Sequence, residues 1–238
     1  MAVHNGSNYL LPQLQSILAL LKSTDEVVVV DDASQDNSVE LLRKLSDPRL
    51  KLHFNSRNLG VFASFEKALR QARGDIIFLS DQDDLWLPGK VEKTINVFLL
   101  NPQITLVASD ASVIDKFGLV VEKSFFAQRG RFAAGVLRNI VKNKYLGCSL
   151  AFRRSMLRHF LPIPRDVPMH DMWIGILNDI YGKTHFIGEP LIAYRRHGDN
   201  LSPTAAAPLM QRFVWRWRLI KNLILRVVRS HSRTTEYR

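Results

Sequence analysis

Apolar positions along this chain fall into two alternating rhythms. Leu10, Leu11, Leu14, Ile17, Leu18 and Leu21 recur at helical spacing and predict an amphipathic helix over roughly 8–22. Glu26 to Val30 is a continuous β-branched run after its first residue, which predicts a buried strand ending in Asp31-Asp32. Helical spacing returns from Asn37 to Leu45, with Ser34 or Asp36 as the cap. Leu50 to Phe54 predicts a short strand, and Val61 to Ala72 a helix stopped by Gly74. A second buried strand starts at Ile76 and runs into Ser80-Asp81-Gln82-Asp83-Asp84. Pro88 suits the first turn of a helix to about Leu100, and Ile104 to Ser109 is another strand. This alternation implies an α/β fold: a mostly parallel sheet with helices on both faces.

After about residue 110 the rhythm loosens. Residues 115–145 are basic and mixed, with Gly118, Gly130 and Gly135, and read as a mobile insertion. Residues 146–153 and 184–194 predict strands, with a helix between them at about 171–181. Met1 to Gly6 reads as a loop that leaves a strand, yet no strand precedes it. The expectation is a sheet whose first strand is missing, by truncation or by design. Residues 1–205 then form one α/β domain, and 206–238 a tail.

Composition narrows the setting. A chain of 238 residues with 46% hydrophobic content supports one domain with a substantial core. The single cysteine, Cys148, excludes an internal disulfide and fits a reducing compartment. No apolar run approaches the roughly 18 residues of a membrane span, and no leader peptide is visible. The net charge of +11 is unevenly placed: from Met210 onward eight Lys/Arg face one acid, a net +7, which leaves +4 for the first 209 residues. In that tail Phe213, Trp217, Ile220, Ile224 and Val227-Val228 share a helical face, with Arg212, Arg216, Arg218, Arg226 and Arg229 mainly off it. The pattern predicts an interfacial helix over 210–230 lying on an anionic membrane surface. A helix docked on the domain by the same stripe is the competing reading. Nucleic acid is a poorer fit, because the body is nearly balanced. The expected location is cytoplasmic, peripheral to the inner face of the cell membrane.

Two predicted strands end in acid clusters, Asp31-Asp32 and Asp81 to Asp84. Ligands of open α/β sheets bind at that edge. Carboxylates there can hydrogen-bond a ribose hydroxyl or a base N–H, and can hold a metal against phosphates. Clustered acids repel one another, and Asp81-x-Asp83 suits Mg²⁺ or Mn²⁺.

Five motifs occur in a telling order: Ala2-Val3-His4-Asn5-Gly6, Val28 to Ser34 with its Asp31-Asp32, Asn58-Leu59-Gly60, Leu79 to Trp86 with its Ser-Asp-Gln-Asp-Asp, and His170-Asp171-Met172-Trp173. Together they resemble the family 2 glycosyltransferases of GT-A fold, over roughly residues 1–200. The Ser-Asp-Gln-Asp-Asp-Leu-Trp wording, with Tyr194-Arg195-Arg196-His197-Gly198-Asp199-Asn200 downstream, looks most like rhamnosyltransferases of bacterial surface polysaccharides.

The resemblance implies roles. Asp32 would meet the base or ribose of the donor, with Val3 to Asn5 lining the base; a strand-end turn with a helix cap is the alternative. Asn58 and Gly60 would sit near the donor, or form a plain turn. Asp81 and Asp83 would be the metal motif, Asp83 the more direct ligand, while Asp84 caps the turn into the next helix. Asp171 would be the catalytic base, with a helix N-cap as the alternative. Many relatives carry Glu-Asp where this chain has His170-Asp171, which leaves His170 to shape the acceptor site. His197 would serve the metal or diphosphate, and Arg195 and Arg196 would pair with the diphosphate or lie on a solvated strand edge.

The implied activity is inverting transfer of a sugar, first L-rhamnose from dTDP-rhamnose, to a glycan or lipid-linked acceptor hydroxyl. A UDP-hexose donor is the alternative on the same fold. An inactive, truncated domain acting as a membrane-associated interaction protein is another. Haloacid-dehalogenase hydrolases also place Asp-x-Asp after an apolar strand, but follow it with Gly-Thr, which Asp84-Leu85 does not supply.

Overall fold

The computed structural model describes residues 1–198 and 208–235, with side chains of the last helix described to Arg229. Val27–Asp31 (β2) is buried at every position, as its β-branched run predicts. It pairs in parallel with Leu50–Phe54 (β3) on one side and with Ala2–Val3 (β1) on the other. The expected missing first strand is thereby corrected to a short one: β1 matches Val30 and Asp31, and the Met1 carbonyl accepts from Val30 N at 3.0 Å.

Helices Ser7–Leu18 (α1), Ser38–Lys44 (α2) and Val61–Gln71 (α3) complete this half. Asp36 caps neither helix as a helix residue but serves both. Its carboxylate accepts from Ser7 N and Ser38 N, each at 2.9 Å.

The second sheet is mixed. Ile76–Phe78 (β4) pairs antiparallel with Leu150–Arg153 (β8), which is antiparallel to Leu106–Ile114 (β6). Strand β6 runs parallel to Thr184–Arg195 (β9), and β9 pairs antiparallel with Leu85–Trp86 (β5). Parallel pairing is thus confined to the first three strands and to β6–β9. The chain between β6 and β8, a hairpin strand followed by short helices, brings β8 back beside β6 in the opposite direction.

Residues 115–145 are ordered elements, where a mobile insertion was expected. Val120–Glu122 (β7) forms a hairpin with β6, followed by helices Phe125–Arg129 (α5) and Val136–Val141 (α6). Aromatic packing holds them: Phe132 stacks on Phe186 at 4.6 Å, and Phe126 meets both rings edge-on. Lys90–Leu100 (α4) and Leu157–Phe160 (α7) flank the mixed sheet.

His170–Tyr181 (α8) is buried on all sides through Asn178, so it runs through the core rather than over it. Tyr145 packs flat on its Gly175. A Cβ there would lie 2.0 Å from the Tyr145 ring, whose hydroxyl is fixed to Asp179 at 2.6 Å. In a free helix Gly→Ala gains about 1 kcal/mol. Here overpacking wins, and Gly175→Ala is expected to lower stability by about 1–3 kcal/mol. A denaturation midpoint at or above that of the parent would contradict this packing.

Strands β2 and β4 are not hydrogen-bonded to each other. A cavity of about 900 Å³ separates them, lined by both strands and by α1, α3 and α4; Val28, Phe65, Leu69, Ile77 and Leu79 supply much of its apolar wall.

The final helix, Leu209–Thr235 (α9), docks on the body, but not by the stripe the sequence picked out. Leu219 and Leu223 are buried in the main core. Arg216 bonds the Ile140 and Val141 carbonyls at 3.2 and 2.6 Å, and Arg226 bonds those of His159 and Leu161 at 2.8 and 2.7 Å. These two arginines hold the helix to the body, where the sequence predicted them at an anionic membrane surface. The proposed boundary at residues 205–206 lies outside the described residues, as do Asp199 and Asn200 of the downstream motif.

Candidate active site

The loop after β1 ties three others together. His4 Nδ1 donates to the Asp32 carbonyl at 2.9 Å, and its Nε2 accepts from Asn58 Nδ2 at 3.1 Å. Gln82 brackets the same residue, accepting from His4 N at 2.8 Å and donating to His4 O at 3.1 Å. Asn5, at φ 49, receives Gln35 N on its side chain and donates its own amide to Ser34 Oγ. Val3 does not line this loop with its side chain. It is 1% exposed and packs with Leu10, Leu14 and Val29.

Asp32 organises the next loop. Its carboxylate accepts from Asn55 Nδ2 (2.8 Å), Leu59 N (2.9 Å) and Gly60 N (2.8 Å). Burial alone would raise its pKa, but these hydrogen bonds outweigh it and hold the carboxyl below its ordinary range. Asp32 and Asn58-Leu59-Gly60 are therefore one structural unit. Gly60 needs its glycine: φ is 85, and its amide must reach both Asp32 and Asn58. Asp31 is spent locally on Ser34 N and Oγ.

Past β4, the acids divide by role. Burial, then the charges of Asp84, Asp83 and Asp171, push the Asp81 carboxyl well above its usual range. Asp83 Oδ2 lies 2.9 Å from His197 Nε2, so two residues 114 apart in sequence meet. His197 also packs on Tyr9, with ring centroids 4.8 Å apart. Asp84 is not the helix cap expected of it, since α4 begins at Lys90 after Gly89. Instead Asp84 Oδ1 accepts from Arg195 N at 2.9 Å and pins the end of β9. Its Oδ2 is buried without a hydrogen bond, and burial followed by the Asp83 charge pushes its pKa up to about 7.

Arg195 is 6% exposed and donates from its guanidinium to the carbonyls of Asp83, Asp115 and Lys116. It builds the loop, which corrects its assignment to a diphosphate. Arg196 reaches the Tyr194 hydroxyl at 3.2 Å.

Asp171 sits in the first turn of α8, with Met169 as N-cap and no side-chain cap bond. That removes the capping alternative. Its Oδ2 accepts from Gly147 N at 3.1 Å and its Oδ1 from Met172 N at 2.6 Å. Burial outweighs these bonds and raises its pKa to about 6. A carboxylate so placed is poised to take a proton near neutrality. Its neighbour His170 is buried against Phe65 (ring centroids 4.3 Å), its Nε2 has no hydrogen bond, and burial lowers its pKa to about 4. His170 is thus a neutral ring and a weaker proton acceptor than Asp171.

A divalent cation fits this donor set. Carboxylates and one imidazole suit Mn²⁺ or Mg²⁺, and positive charge would relieve the mutual repulsion among the acids. Among the described residues, Asp81, Asp84 and Cys148 also bring ligand atoms within 4.8 Å of one another. A thiol whose pKa burial drives upward is a poor ligand for such hard ions. The Asp83–His197 pair is the better candidate, with Asp81 beside it.

Three positioning residues escaped the sequence reading. Gln13 holds Ser80 Oγ at 2.8 Å and the Asp81 carbonyl at 3.0 Å. Its signal was present, as a polar residue amid the apolar face of α1. Gln82 looked like the spacer of an Asp-x-Asp, and Tyr9 carried no signal.

The sequence profile of glycosyl transferase family 2 matches residues 1–161. UDP-Glc:alpha-D-GlcNAc-diphosphoundecaprenol beta-1,3-glucosyltransferase WfgD of Escherichia coli is 27% identical over 184 residues, 75% of this chain and 68% of that protein. Staphylococcus aureus TarS 1–349 in complex with UDP-GlcNAc superposes with a TM-score of 0.69 at 17% identity, covering 90% of this chain and 62% of that one. The mannosyltransferase PcManGT from Pyrobaculum calidifontis, in complex with GDP-Man and Mn²⁺, gives 0.61 at 21% identity, covering 97% and 62%. The chain spans about two thirds of the length of the first curated relatives it matches.

Proposed function

We infer that this chain, which belongs to glycosyl transferase family 2, transfers a sugar from a nucleotide diphosphate to an acceptor hydroxyl. The observation that carries this reading is one convergence. The loop Asp81 to Asp84 meets His197, and the Asp171 carboxylate lies close enough for its charge to act on Asp81.

The reaction is a single displacement with inversion. Asp171 accepts the acceptor's proton as its oxygen bonds to the anomeric carbon. The bond from that carbon to the diphosphate oxygen breaks, and the electron pair leaves with the diphosphate. Asp83, Asp81 and His197 would hold the cation, whose chemistry is to stabilise the charge of the departing diphosphate. The loop at His4-Asn5, with Asp32, Asn58 and Gly60 behind it, would receive the nucleoside. Arg196 would meet the phosphates.

The first donor is dTDP-rhamnose, on the wording of the Ser-Asp-Gln-Asp-Asp-Leu-Trp motif. A UDP-hexose is the second reading, since WfgD is named for UDP-Glc and TarS was solved with UDP-GlcNAc. The acceptor is a glycan or a lipid-linked saccharide. The name of WfgD, which acts on a diphosphoundecaprenol saccharide, supports the lipid-linked form. Attachment to the inner face of the cell membrane through residues 210–230 accords with that acceptor. No described helix is long and apolar enough to cross a membrane.

Thermal-shift screening with dTDP-rhamnose, UDP-glucose and GDP-mannose, each with and without Mn²⁺, tests the reading. One donor is expected to raise the melting temperature, and to need Mn²⁺ to do so. If none does, the reading gives way to an inactive domain that acts through its surface.

A further inference from the structure

Helix α9 carries two apolar stripes, and the fold uses one. Leu219 and Leu223 are buried, while Phe213, Trp217, Ile220 and Ile224 follow at helical spacing on the other face and stay 40–69% exposed. The short helix α6 repeats the pattern. Its Leu137 and Val141, one turn apart, are 79% and 66% exposed. The two helices pack together, and Arg216 of α9 joins them by bonding the last carbonyls of α6. Large apolar side chains held in water on two touching helices mark a contact surface.

The chain segments that carry this patch have charge of one sign. No acid occurs between Glu122 and Asp166, or between Met210 and Arg229. Arg138 and Lys142 flank the apolar pair of α6 and are exposed, as are Arg218 and Lys221 on α9. An apolar patch with Arg138, Lys142, Arg218 and Lys221 exposed on the same two helices complements an anionic lipid surface, where the side chains enter the interface and the cations meet headgroups.

We propose that α6 and α9 together form one docking face for an anionic lipid surface, and that α6 links this face to the catalytic carboxylate. The proposal rests on the lipid-linked acceptor of the reading above. The link is traceable in the chain. Gly135 N, at the start of α6, donates to Asp179 of α8 at 2.8 Å. Tyr145, just past α6, donates to the other oxygen of Asp179 at 2.6 Å. Two residues later Gly147 N donates to Asp171 itself at 3.1 Å. The segment from Gly135 to Gly147, which contains α6, is thus tied at both ends to α8. Docking through α6 would set the distance from the lipid surface to the base, which is what an acceptor anchored in lipid requires.

The full chain would be sedimented with phosphatidylcholine vesicles, with and without phosphatidylglycerol. Binding is expected with phosphatidylglycerol only. Leu137→Ser/Val141→Ser should weaken it by at least about tenfold, because two apolar side chains no longer enter the interface. Arg138→Glu/Lys142→Glu, a surface change that leaves packing alone, should do the same. Both variants should keep the parent's Mn²⁺-dependent thermal shift with nucleotide, which separates loss of docking from loss of the donor site. If both bind as the parent does, while Phe213→Ser/Trp217→Ser is released, the role of α6 is overturned and the tail alone docks. If the parent ignores anionic vesicles, or forms a dimer that the patch variants dissolve, the lipid assignment is overturned.

Discussion

Asp171→Asn is expected to lower turnover by about 10²–10⁴-fold while leaving donor binding within a few-fold of the parent. The amide can still accept a hydrogen bond from Gly147 N or Met172 N, so the start of α8 should hold. What it cannot do is take a proton. The pH profile gives a second readout from the same position. Burial raises the Asp171 pKa to about 6, so the protonated, inactive form accumulates below that pH. The parent's kcat/KM should therefore fall as pH drops through about 6, rather than near the ordinary carboxylate range around 4. The variant's residual rate should lack that limb. Turnover retained in Asp171→Asn, or an unchanged acid limb, would remove Asp171 as the base.

The second large effect is at Asp83. Asp83→Ala is expected to abolish Mn²⁺-dependent donor binding. A donor present at about 100 times its Kd stabilises the folded parent by about 2.7 kcal/mol, and the variant should show close to none of that increment. The substitution also takes away one partner of His197, 2.9 Å distant. His197→Ala should therefore weaken the same shift, leaving a part that Asp83 and Asp81 support. Asp84→Asn is the contrasting case. Its carboxylate serves Arg195 N and the end of β9, so it should alter stability more than metal response. If Asp83→Ala kept the full Mn²⁺-dependent shift, the cation would have to sit elsewhere, and the Asp81–Asp84–Cys148 group would become the first place to look.

Much of this was legible in the chain, and the failures are physical. Local periodicity found α1, β2, α3 and α8 within a few residues, because each buries a face or a whole run. It could not give the antiparallel placement of β8, which depends on the path from β6 and leaves no trace in β8's own four residues. The segment 115–145 looked mobile because its anchors are single aromatics, Phe126 and Phe132, that only become a cluster once Phe186 arrives from β9. At the site, residue types at a strand end picked out Asp83, the family resemblance supplied Asp171 and His197, and the structure brings Asp83 to His197 directly. It did not bring Val3 to the surface, and it spent Arg195 on backbone carbonyls. Those assignments treated position in a motif as exposure. Burial is a property of the packed neighbours, and α9 makes the same point. The more regular of its two apolar stripes faces outward, while the pair Leu219 and Leu223 does the docking.

The hollow between β2 and β4 bears on how the protein behaves in bulk. Strand β4 pairs with β8 on one edge, and no described strand pairs with the other. The free margin of β4 therefore lies along an apolar hollow. Such margins invite foreign backbone. At high concentration the expected failure of this molecule is strand exchange between copies, seeded at β4. Its shelf life would then be governed by intermolecular pairing rather than by unfolding of the core.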